Sequence, residues 1–149
     1  MLAAKRAALV AVILISILFV VSRGSSHIVV QKENQKDQVE RGRYLVEEVA
    51  ECGECHTPRN AKGELERNSW LQGGPIWITP VVPDSNWAPS APSLAALGGF
   101  TPEQVERVLE QGTGPEGEPL RPPMHIYHMK PEDAKAIVAY LNTLPRPMH

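Results

Sequence analysis

Only two cysteines occur in the 149 residues, Cys52 and Cys55, and they stand three positions apart. A disulfide between them would close too small a loop to constrain the unfolded chain, so a disulfide-stapled scaffold is excluded and the pair is present for chemistry. Large aromatic side chains are scarce as well: two Phe, three Tyr and three Trp. A domain of this size ordinarily fills its centre with more bulk, and the shortfall leaves room for a large apolar cofactor. Basic charge is short too. The formal net charge is −2, yet residues 1–24 contain Lys5, Arg6 and Arg23 and no acid, so the body of the chain carries 12 basic against 17 acidic side chains. An acidic body has nothing to set against phosphates, and nucleic-acid binding is excluded. No internal repeat is present.

What is there divides by composition. Residues 1–24 hold a basic start and an uncharged run from Ala7 to Val21. They read as a membrane anchor with Lys5 and Arg6 at the cytoplasmic headgroups, extended by Leu2 to Ala4. The alternative is a cleaved signal peptide, for which Ser22-Arg23-Gly24 is the small-residue site. Both send the rest across the membrane, so the expected location is membrane-anchored on the periplasmic side of a bacterial cytoplasmic membrane, or soluble periplasmic after cleavage. Residues 25–37 are a polar tether, 38–145 the folded domain and 146–149 a tail.

Within the domain, Val39, Gly42, Leu45, Val46 and Val49 recur at helical spacing and predict a helix from about Asp37 to Glu51 that runs into the cysteine pair. From Pro58 to Pro123 stand eleven of the fourteen prolines. Proline lacks a donor and fixes its own φ, so that stretch is neither mostly helix nor mostly sheet. Thr101-Pro102-Glu103 interrupts it with a helix start, Thr as N-cap. Val105, Val108 and Leu109 make that helix's apolar face and Gly112 stops it. A last helix opens at Pro131-Glu132-Asp133, buries Ala134, Ile137, Val138 and Leu141, and ends before Pro145. The expected class is all-α: three or more helices with proline-rich loops wrapped around a flat apolar disc, plus an N-terminal transmembrane helix.

Cys52-Gly53-Glu54-Cys55-His56 supplies the disc. Thiols one helical turn apart can add to two vinyl groups on one porphyrin edge, and the adjacent imidazole then reaches the iron. A thioredoxin-like redox pair would open a helix inside a βαβ pattern, and no strand pattern is in sight. A structural zinc site would need a second ligand pair, and there is none. One such motif means one covalent haem c, with Cys52 and Cys55 as thioethers and His56 on the iron. A Met opposite His is the ligation of high-potential electron carriers. Met1 and Met148 are terminal, which leaves Met124, on the stiff Arg121-Pro122-Pro123 segment, with Met129 as the fallback. His125 and His128 are further potential ligands, more readily placed facing solvent.

The run Gly42-Arg43-Tyr44-Leu45-Val46 and then Cys52-Gly-Glu-Cys55-His56-Thr57-Pro58-Arg59 resembles class I c-type cytochromes, in particular membrane-linked bacterial ones associated with periplasmic dehydrogenases. Leu71-Gln72-Gly73-Gly74, Ala91-Pro92-Ser93-Leu94, Arg121-Pro122-Pro123-Met124 and Glu132-Asp133-Ala134 through Leu141 follow in that family's order. The resemblance covers residues 38–145. It implies the cytochrome c fold, with Gly42 letting the first helix cross the last near Ile137 and Tyr140. It also implies that a loop proline carbonyl fixes His56 through its other ring nitrogen, Pro92 being the candidate and Pro75 the second. The family often has Met-Pro where this chain has Met124-His125, which makes the ligand loop less rigid. Trp70, Trp77 and Trp87 pack near the porphyrin, or an indole N–H or Arg59 hydrogen-bonds a haem propionate.

The function expected is single-electron transfer between redox-protein donor and acceptor in a periplasmic electron-transport chain, with no substrate chemistry of its own. Two alternatives stand beside it. The same fold is a haem subunit of a dehydrogenase or oxidase complex, or a ligand sensor in which Met124 is displaced.

Overall fold

The computed structural model describes residues 34–146. The membrane anchor expected at 1–24 and most of the tether lie outside the described residues, as does most of the tail. Among the described residues no helix is long and apolar enough to cross a membrane. The unit that holds the cysteine motif spans Gln38–His149.

Helix α1 already runs at residue 34, so Asn34, Gln35 and Lys36 are helical rather than extended tether. It continues to 44 and then widens into a π turn over Leu45–Val49, where the Ala50 N–H donates to the Leu45 carbonyl at 2.8 Å. The extra residue per turn shifts the apolar phase. Leu45 and Val46 stay buried, but Val49, expected on the same face, is 55% exposed. Nor does the helix run unbroken into the cysteines: Glu51 takes φ +47, and a new short helix α2, Gly53–His56, starts after Cys52 as its N-cap and carries Cys55.

Helix α3, Pro102–Gln111, starts and stops as its residues demand. The Thr101 hydroxyl accepts from the Gln104 N–H, the Gln104 side chain returns to the Thr101 N–H, and Gly112 ends the helix at φ +67. Helix α4, Pro131–Thr143, buries Ala134, Ala136, Ile137, Val138, Tyr140 and Leu141. It packs against α3 and the π turn. Where α1 crosses it, a side chain at Gly42 would run into the Ala136 carbonyl and the Tyr140 Cβ. Two polar contacts pin the crossing: the Tyr140 hydroxyl donates to Glu47 at 2.5 Å, and Arg41 reaches Asp133 at 2.9 Å.

Between α2 and α3 the proline-rich chain has little regular structure. A 3₁₀ turn occupies Arg67–Ser69, Ala95–Gly99 is a kinked turn with positive φ at Ala96, Leu97 and Gly98, and strands β1 (Gly74–Pro75) and β2 (Ser90–Ala91) pair antiparallel with Gly74 opposite Ala91. The largest fully buried side chains are Leu71, Ile137, Leu141 and Val46. That is a thin core for so long a chain, and the space it leaves is a cavity.

Candidate functional site

The cavity measures about 510 Å³ and its walls are predominantly apolar. Val46 of the π turn, Val105, Val108 and Leu109 of α3, and Ile137 and Leu141 of α4 form one side. Val105 and Val108 are only half-buried because the face they present is a cavity wall rather than packed protein.

Cys52, Cys55 and His56 all open onto this space. Cys52 is the N-cap of α2 and Cys55 and His56 end its single turn, with the His56 N–H donating to the Cys52 carbonyl at 3.0 Å. Gly53 between the cysteines is required by packing, because a Cβ there would penetrate the Trp70 ring. Burial pushes the Cys52 thiol up to about 11, and the Cys55 thiol is also raised, mainly by burial. Reactive redox cysteines have depressed values instead, so these thiols are not built for disulfide exchange. Among the described residues no group of three or more His, Cys, Asp or Glu side chains is placed to hold a metal ion.

His56 is 6% exposed. Its Nδ1 lies 2.8 Å from the Pro92 carbonyl oxygen, which can only accept, so the ring donates from Nδ1 and keeps the lone pair on Nε2. Burial depresses the His56 pKa, outweighing the opposite effect of the Pro92 hydrogen bond. The imidazole is therefore held neutral, which is the form that ligates iron. Its backbone is fixed too: the Gly73 N–H donates to the His56 carbonyl at 2.7 Å, and the Leu71 N–H to the Thr57 hydroxyl at 3.0 Å.

Met124 and the exposed His125 line the same cavity. Met129 does not; it packs against the hydrophobic core, with its N–H on the Leu109 carbonyl at 2.9 Å. His128 and Pro75 are likewise absent from the lining, while Pro92 is part of it.

Arg59 sits beside α2. It is not among the lining residues. Its guanidinium pairs with the Glu54 carboxylate at 2.5 Å, donates to the Gly63 carbonyl at 2.8 Å and stacks 4.5 Å from the centre of the Trp77 ring. Two of the three indoles are also committed to the backbone. Trp77 donates to the Glu54 carbonyl at 3.1 Å and Trp87 to that of Ile78 at 3.3 Å. The buried N–H groups of Trp70 Nε1 and Arg59 Nε have no acceptor among the described residues, and neither side chain reaches the cavity wall. One contributor that residue pattern did not single out is Tyr127, which lines the cavity and donates to the Ala50 carbonyl at 3.3 Å. Burial, then the two nearby cysteines, push its phenol up to about 12.

A large apolar cavity with two thiols, a neutral oriented imidazole and a thioether on its walls fits haem c. The chain matches the cytochrome c family over residues 39–145. It is 38% identical over 114 residues to a diheme cytochrome c-type protein of Cereibacter sphaeroides, a stretch covering 71% of this chain and 35% of that protein. It is 32% identical to the fructose dehydrogenase cytochrome subunit of Gluconobacter japonicus, across 73% of this chain and 22% of the relative. With the cytochrome c subunit of the quinone alcohol dehydrogenase of Gluconobacter oxydans it shares 30% identity, across 78% of this chain and 26% of the relative. The chain thus spans about a third or less of these relatives' length. The family match takes in the attachment motif and the crossing at Gly42: the chain belongs to the cytochrome c family.

Proposed function

We propose that this protein carries one haem c with His56 and Met124 as axial ligands and relays single electrons from a periplasmic dehydrogenase to an acceptor in the same bacterial membrane. A single haem follows from the single CxxCH. The observation that carries the ligand assignment is that His56 and Met124 share one cavity while Met129 is packed away from it. When bound, haem c supplies a ferric–ferrous couple, so an electron passes with no bond made or broken. The chain's own residues set the conditions. Cys52 and Cys55 hold the group, Pro92 fixes the tautomer of His56, and the apolar walls keep water from the metal and help set the potential.

A second reading is favoured by the names of the relatives. Two of the three are cytochrome subunits of dehydrogenases, so the domain serves as a fixed relay inside such a complex. Copurification of a large dehydrogenase subunit supports that reading, and a protein purified alone yet reducible by a separate dehydrogenase supports the free carrier.

The ligand assignment is tested by paired variants. Met124→Ala is expected to abolish the weak charge-transfer band near the red end of the oxidised spectrum and to lower the reduction potential, because thioether sulfur favours ferrous iron. Met129→Ala leaves the band in place. The opposite pattern overturns the assignment.

A further inference from the structure

Residues 84–92 form a strap along the cavity wall that touches both sides of the candidate ligand set. At one end the Pro92 carbonyl accepts from His56 Nδ1 at 2.8 Å. At the other, the carbonyls of Asn86 and Trp87 accept from Arg121 Nε and one terminal nitrogen, each at 3.1 Å. Beside that fork the Ala88 N–H donates to the Pro122 carbonyl at 2.7 Å. The strap is itself held in place. The Asn86 N–H donates to the Asp84 carboxylate at 2.8 Å, the Trp87 indole to the Ile78 carbonyl, and the Ile76 N–H to the Pro89 carbonyl at 3.0 Å.

The Met124 segment has no such support of its own. Residues 120–130 contain neither helix nor strand, and Pro122 and Pro123 have no N–H to give. Among the described residues, the hydrogen bonds tying 120–125 to the rest of the protein are the two from Arg121 and the one at Pro122. The Met124 N–H then donates to the Arg121 carbonyl at 3.1 Å, so the residue that grips the strap also closes the turn that presents Met124.

We propose that Arg121 is a positioning residue for Met124: its guanidinium fork clamps the methionine segment to the same strap that orients His56, and so keeps the thioether aimed into the cavity. The inference rests on Met124 being the sixth ligand. A planar fork can engage two adjacent carbonyls at once, whereas an ammonium cannot hold both in one geometry. Arg121→Lys therefore keeps the charge and loses the clamp, which separates positioning from a simple electrostatic effect on the iron.

Imidazole is the probe, added to the oxidised full-length protein and followed by the haem spectrum. It competes with the sixth ligand, so its apparent affinity reports how often that ligand is away. Two exposed hydrogen bonds of modest net worth amount to about 1.4 kcal/mol, or about tenfold. Arg121→Gln is expected to bind imidazole about tenfold more tightly than wild type, and Arg121→Lys several-fold more tightly, with covalent haem and helix content retained. In a Met124→Ala background, where no thioether remains to position, Arg121→Gln is expected to add nothing. Wild-type affinity in Arg121→Lys, or an equal effect of Arg121→Gln with and without Met124, overturns the proposal while the ligand assignment stands. If Met124→Ala alone binds imidazole no more tightly than wild type, Met124 is not the ligand and both ideas fall.

Discussion

Preventing haem attachment should cost this chain its fold. Replacing Cys52 and Cys55 together by Ala removes both thioether anchors, and haem is then held only by its axial ligands and apolar contact. Once it is lost, a cavity of about 510 Å³ is left between the π turn, α3, α4 and the loops. At ~24 cal/mol per Å³, the cost of leaving such a space unfilled is about 12 kcal/mol. That figure is an upper one, since water can enter and the walls can close, but it matches the entire stability of ordinary domains, about 5–15 kcal/mol. The remaining packed core is thin, its largest fully buried side chains being Leu71, Ile137, Leu141 and Val46. Circular dichroism of the double variant should show most helix lost and no cooperative thermal transition, while the wild-type holoprotein unfolds cooperatively. A haem-free variant with wild-type helix content and a sharp melting transition would refute the claim that the disc completes the core.

Gly42→Val should destabilise the holoprotein by about 3 kcal/mol, the upper end of overpacking costs, because the side chain meets the Ala136 carbonyl of α4; denaturant unfolding measures it, and a loss near zero removes the close crossing. Tyr140 gives a pH signature. Its phenol is pushed from 10.0 up to about 12 by burial and then by Glu47, so the neutral form is favoured by folding. That contribution is fully present below pH 10 and is lost as the pH rises through about 12. Tyr140→Phe should therefore be less stable by about 1 kcal/mol at neutral pH, and the gap should narrow in strong alkali; a gap that stays constant contradicts the assignment. On fractionation, the proposed anchor keeps the protein in membranes through a high-salt wash and releases it in detergent. A soluble periplasmic form beginning near Ser25 means residues 1–24 are a cleaved signal.

Much of this arrangement is written in short-range pattern. Thr101, Pro102 and Gly112 mark both ends of α3 because caps and chain reversals depend on neighbours alone. The apolar spacing of Ala134, Ile137, Val138 and Leu141 fixes the buried face of α4. Spacing likewise carries the attachment motif. The π turn escapes such reasoning, since one added residue leaves the composition unchanged and only slides Val49 out of register. Arg121 escapes it for another reason. It is a long cation gripping carbonyls 34 and 35 positions away, and no local preference encodes that meeting.

The most direct test of the central claim, covalent haem at Cys52 and Cys55, is the intact mass of the purified protein after acid–acetone extraction. Thioether bonds at these two positions survive that treatment, so the colour should stay on the chain and the mass should exceed that of the polypeptide by one haem. Colour lost to the solvent, with a mass equal to the bare polypeptide, would contradict it.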